Sequence, residues 1–144
     1  MSTGRRSARR QAVFVLYQQD LLKLGTEAAL GRVQDDDLDE YAKSLVRGVS
    51  SDGSAVDSLL DMNLSGWSLG RLGVLERAIL RVAAYELLEE PEVPVAVAVD
   101  EAVNLAKRFC SAEAGALVNG ILGSAARVAR PGEAASETAA EVEE

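Results

Sequence analysis

Arg5, Arg6, Arg9 and Arg10 crowd the first ten residues, and no acid precedes Asp20. A guanidinium is permanently charged, and its planar fork matches phosphate oxygens. On a helix the spacing i, i+1, i+4 and i+5 projects all four from one sector. Such a cluster repels itself unless a polyanion neutralises it, and near a helix N-terminus it also opposes the helix dipole. Phosphate is the expected partner. Steps of four, three and four residues lead from Arg6 through Arg10 and Val13 to Tyr17. A phenol ring beyond a basic cluster suits single-stranded RNA, where cations meet phosphates and a flat ring stacks on an unpaired base. The same spacing also allows Tyr17 to plug the edge of the core, with the arginines forming a solvated helix end.

Other chemistry finds little support. The chain has no histidine and one cysteine, Cys110, which reads as a small apolar residue. Imidazole catalysis, a Cys/His zinc site and an intramolecular disulfide are excluded. Asp35, Asp36, Asp37, Asp39 and Glu40 read as an acidic helix start rather than a metal site. Gly66, Gly70 and Gly73 lack the Lys-Ser/Thr continuation of a phosphate loop. Nothing pairs a nucleophile with a base, so no catalysis, cofactor or metal is expected. Asn119-Gly120 lies inside an apolar helix pattern and reads as close packing at the glycine with a cap or cross-helix bond from the asparagine.

The elements that must position the arginines are helical. Aromatics make up 4% of the 144 residues while Ala, Leu and Val abound, a bias that favours helices over sheets. Residues 1–4 read as a flexible lead. Helical periodicity follows over Arg5–Leu24, from Leu38 to Val49 and over Ser54–Met62. Asn63-Leu64-Ser65-Gly66 marks a break between an N-terminal unit, 5–64, and a C-terminal unit, 65–130. Leu72 to Leu87 trace an amphipathic helix closed by Pro91 and Pro94. Val93, Val95, Val97 and Val99 alternate as a strand would, but Ala102, Val103, Ala106 and Cys110 continue at helical spacing. Ser111 is the N-cap of a last helix. Residues 131–144, with five acids and no base, read as a disordered solubilising tail or a competitor for the basic N-terminus. No apolar run approaches the ~20 residues of a membrane span, and a cytoplasmic protein is expected. A net charge of -8 implies selective or partner-assisted binding of nucleic acid.

These segments resemble a known family. Arg5-Arg6-Ser7-Ala8-Arg9-Arg10-Gln11-Ala12 leading to Leu16-Tyr17 looks like the N-terminal RNA-binding stretch of the NusB transcription antitermination factors. Arg71-Leu72 with Glu76-Arg77-Ala78-Ile79-Leu80-Arg81 and Ala84-Tyr85-Glu86-Leu87-Leu88 resembles the family's central helix. Val93-Pro94, Asp100-Glu101-Ala102-Val103 and Leu105-Ala106-Lys107-Arg108-Phe109 resemble the penultimate one, and Leu117-Val118-Asn119-Gly120-Ile121-Leu122 the last. The resemblance implies an all-α protein of two antiparallel helical bundles that binds boxA RNA together with NusE, a small-subunit ribosomal protein. Other Nus factors and RNA polymerase are then indirect partners, mainly in ribosomal RNA transcription, and some members form homodimers. It further implies that Arg5, Arg6, Arg9, Tyr17, Lys107 and Glu113 lie at the RNA, with Arg10 an added base, and that Glu76 faces NusE. Leu117 stands where relatives often carry a phenylalanine, Glu113 where an aspartate is common and Gly123 where an aspartate is frequent. Two alternatives remain: a helical module whose arginines meet an acidic protein, and a NusB-like front domain of a ribosomal RNA methyltransferase, for which no catalytic half is seen.

Overall fold

The computed structural model describes residues 2–33 and 37–133. Among the described residues there is no strand, and the helices are α1 (Ser2–Leu22), α2 (Thr26–Gly31), α3 (Glu40–Ser51), α4 (Gly53–Asp61), α5 (Val74–Glu89), α6 (Val95–Phe109) and α7 (Ala112–Ala129), with helical backbone again at 131–133. A 3₁₀ turn, Leu69–Arg71, precedes α5.

Local chemistry sets the helix ends. Lys23 adopts a left-handed φ of 56° and breaks the chain after α1, and Gly25 is the N-cap of α2. The Asp39 carboxylate accepts from the Tyr41 N–H at 2.8 Å and caps α3. The acidic start expected at 35–37 therefore falls at Asp39-Glu40; Asp35 and Asp36 lie outside the described residues. Ser111 caps α7 as expected, accepting from the Ala114 N–H at 3.0 Å. Val95, Val97 and Val99 belong to the start of α6, with Pro94 at its N-cap and Val93 in the turn before it.

Helix α5 is the axis of the molecule. It buries Ala78, Ile79, Leu80, Val82, Ala83, Ala84 and Leu87 and packs against α1, α3, α4, α6 and α7. Because its apolar residues face several neighbours, the two bundles, α1–α4 and α5–α7, share one core that runs from Ala8 to Ala126. Arginines reinforce the joints. Arg77 reaches Asp20 of α1 at 3.1 Å and the Leu72 carbonyl at 2.8 Å. Arg81 grips both oxygens of Asp57 on α4, at 2.9 and 3.2 Å.

Three expectations change. Residues 2–4 extend α1 instead of forming a lead. Order also continues past Pro131: Arg130 donates to the carbonyls of Glu86, Leu87, Glu90 and Val93, and the Glu133 carboxylate accepts from the Val95 N–H at 2.6 Å. The rest of the expected tail, 134–144, lies outside the described residues. Finally, Gly120 is exposed with open space around it, and the close approaches fall at Gly48 and Gly115.

Candidate nucleic-acid interface

The four N-terminal arginines do not share a sector. At 3.6 residues per turn, Arg5 and Arg9 form one row and Arg6 and Arg10 another, about 100° round the helix. Ala8, Ala12, Val13 and Leu16 are buried, and the Arg5–Arg9 row runs among them toward the core. Arg9 is 4% exposed and Glu86, on α5, is 0% exposed. The Arg9 Nε donates to both Glu86 oxygens, at 2.8 and 3.0 Å, and the Tyr41 hydroxyl donates to Oε2 of the same carboxylate. Burial works against the charge on Arg9, but the hydrogen bond and field of Glu86 outweigh it and hold the guanidinium above its ordinary pKa. Burial, joined by the Glu86 contact, pushes the Tyr41 phenol far up. Arg5 lies over the Tyr41 ring at 4.4 Å and pairs with Glu92 at 3.5 Å.

The second row faces solvent. Arg6, Ser7 and Arg10 of α1 oppose Glu101, Asn104, Leu105 and Arg108 of α6 across a groove of about 400 Å³. The Arg6 side chain is 69% exposed and its Nε donates to Glu101 at 2.9 Å. An exposed pair of this kind is worth about 0–1 kcal/mol, so a phosphate can compete for the guanidinium. Arg10 is exposed and makes no ion pair among the described residues.

Aromatic surface borders this groove, though not where the sequence suggested. Tyr17 is half-buried against the core and does not line the groove. Phe109, the last residue of α6, is 37% exposed; the Arg108 guanidinium lies 5.0 Å from its ring centre. Phe14, one turn beyond Arg10, meets Phe109 edge-on at 5.1 Å. Arg6, Arg10 and Phe14 at i, i+4 and i+8, beside Asn104, Arg108 and Phe109, join cations, amide and rings in one strip. Of α6, only Lys107 is expected at the RNA from the sequence; Asn104, Arg108 and Phe109 are not, although the basic pair Lys107-Arg108 before Phe109 is an available signal.

The remaining expected residues are placed as follows. Lys107 is exposed, with its aliphatic stem lying on Gly115, and Glu113 is exposed on the first turn of α7. Both flank the α6–α7 turn. Leu117 packs against the core. Glu76, on the first turn of α5, is half-buried without an ion pair among the described residues. It lies near Cys110, whose thiol is pushed up by burial and by the Glu76 charge.

Known proteins share this architecture. The model of the NusB family matches residues 6–127. The transcription antitermination protein NusB of Rubrobacter xylanophilus is 43% identical over 121 residues, 83% of this chain and 87% of that protein. Its counterpart in Saccharopolyspora erythraea is 42% identical over 130 residues, 87% of this chain and 88% of that protein. Among solved structures, T. maritima NusB superposes with a TM-score of 0.79 at 36% identity, covering 85% of this chain and 90% of that one. A chain from the crystal structure of antitermination factors NusB and NusE in complex with dsRNA gives 0.77 at 28% identity, covering 89% and 99%. With a family model spanning most of its length and relatives above 40% identity, the chain belongs to the NusB family.

Proposed function

We propose that the protein is a non-catalytic RNA-binding factor for transcription antitermination, acting in the cytoplasm on boxA RNA together with NusE. Family membership supports this reading, and so does the solved relative that carries NusE and RNA. The observation that carries it here is the α1–α6 groove, where Arg6, Arg10 and Arg108 face one another across an open cleft. The arginines supply affinity through phosphate contacts, which carry no sequence information by themselves. Asn104 and the exposed Phe109 ring supply edge and stacking contacts to unpaired bases. Lys107 and Glu113 extend the surface toward the α6–α7 turn. Glu76 faces NusE, where an unpaired carboxylate suits a basic ribosomal protein.

The test is a mobility-shift titration with boxA RNA and a scrambled control, with and without NusE. Preferential retention of boxA, strengthened by NusE, is expected. Equal retention of both RNAs under every condition rejects the reading. Glu76→Lys is expected to leave RNA binding alone intact and abolish the gain from NusE; a full gain rejects that placement.

A further inference from the structure

Resemblance places Arg9 among the RNA contacts, yet Arg9 is among the buried residues. We infer that Arg9, Glu86 and Tyr41 are positioning residues, a polar pin that sets the rotation of α1 and thereby aims Arg6 and Arg10 into the groove. This inference rests on the RNA-binding reading above.

Three helices converge on one carboxylate. Glu86 of α5 accepts from Arg9 of α1 and from Tyr41 of α3. The apolar neighbours of Arg9 on this stretch of α1 are Ala8, Ala12 and Val13, all buried. These side chains are small and apolar contact has no preferred direction, so a directional polar contact sets the azimuth of this turn more sharply than packing does. Hydrogen bonds weaken steeply with angle, and a carboxylate gripped from two sides fixes an azimuth. Arg5 adds a third hold, over the Tyr41 ring and against Glu92. The geometry is sensitive: with a helix radius of about 5–6 Å including side chains, a rotation of about 20° moves an arginine head by about 2 Å. That is enough to spoil the angle of a phosphate hydrogen bond at Arg6 or Arg10 while leaving the cation beside the phosphate.

Direct contact and positioning predict opposite signs for Glu86→Gln. If Arg9 touched phosphate, releasing it from its carboxylate partner would free a cation, tightening binding and steepening the salt dependence. A positioning role predicts weaker binding with the salt slope unchanged. The experiment measures boxA RNA affinity across a salt series for Glu86→Gln, Tyr41→Phe and Arg6→Ala, with folding checked by circular dichroism. Tyr41→Phe keeps the ring and the Arg9–Glu86 pair, so it serves if Glu86→Gln does not fold. Both are expected to bind roughly three- to tenfold more weakly at wild-type slope, while Arg6→Ala lowers the slope by about 0.7. Tighter binding with a steeper slope for Glu86→Gln makes Arg9 a direct contact and overturns the inference. Unchanged affinity in both folded variants reduces the pin to a stability element and also overturns it. Failure of the wild-type protein to bind RNA removes the functional reading itself, and this inference with it.

Discussion

Gly48 of α3 lies against the hydroxyl end of the Tyr85 ring on α5. A Cβ at position 48 would come within 2.5 Å of the ring's Cε1 and hydroxyl oxygen, so the two helices approach there only because the side chain is absent. Two effects compete on substitution. Gly→Ala in a helix interior gains about 1 kcal/mol, whereas overpacking costs about 1–3 kcal/mol. Gly48→Ala is therefore expected to destabilise the wild-type protein and to stabilise a Tyr85→Ala background, where the propensity gain is unopposed. Urea denaturation of the four proteins reads the sign change. The same sign in both backgrounds would show that the ring swings aside freely.

Glu101 restrains the cation that RNA would need. Its carboxylate holds Arg6 across the groove, and its own charge repels phosphate. Glu101→Gln is expected to tighten boxA RNA binding up to about fivefold, the equivalent of an exposed ion pair. The salt slope should stay near the wild-type value, because Arg6 meets phosphate in both proteins. Weaker binding in this variant would mean that Glu101 pre-orients Arg6 more than it competes for it.

The buried phenol gives the protein an alkaline limit. Burial first, then its contact with Glu86, raises the Tyr41 pKa above the ordinary value of 10.0. The folded state then keeps its proton above about pH 10, where the unfolded chain loses it. Stability from this group is complete below that value and falls as pH rises through the folded pKa. Tyr85 shifts in the same direction, chiefly through burial. Tyr41→Phe should therefore flatten, without abolishing, the decline in Tm between about pH 9 and 11. Parallel declines in wild type and variant would place the alkaline sensitivity elsewhere.

Arg130 spreads one guanidinium over four main-chain carbonyls at and beyond the end of α5, three of them at 2.7–2.9 Å and the fourth from Val93. Arg130→Ala removes the side-chain donor from all four, although the Glu86 and Glu90 carbonyls keep the N–H groups of Glu90 and Val93, and a loss of about 3 kcal/mol is expected. Arg130→Lys should recover less than half, since an ammonium is a point charge that cannot match a planar fork. Chemical denaturation distinguishes the cases. Full rescue by lysine would show that charge at the helix C-terminus, rather than the fork, does the stabilising.

Much of the scaffold was legible in the chain. Periodicity located every long helix, and Ser111 was readable as a cap because its hydroxyl serves a local need. The interface was only half legible. Arg5, Arg6, Arg9 and Arg10 looked like one band because near neighbours in sequence were treated as one sector; they divide into two rows, and Ala8, Ala12, Val13 and Leu16 decide which row turns inward. The partner that makes an inward arginine tolerable, Glu86, lies 77 residues away, beyond the range of any local pattern. Tyr17 and Phe109 show the same limit from the other side. Which aromatic borders the groove depends on how α6 lies against α1, and no spacing within α1 contains that information.

The grip of Arg130 also bears on how the protein is made. Synthesis delivers residues 86–93 well before residue 130, so the Leu87 and Val93 carbonyls wait for a donor that emerges 43 and 37 residues later. Polypeptides cut short ahead of that residue carry nearly all the core yet leave this seam open to water and to other nascent chains.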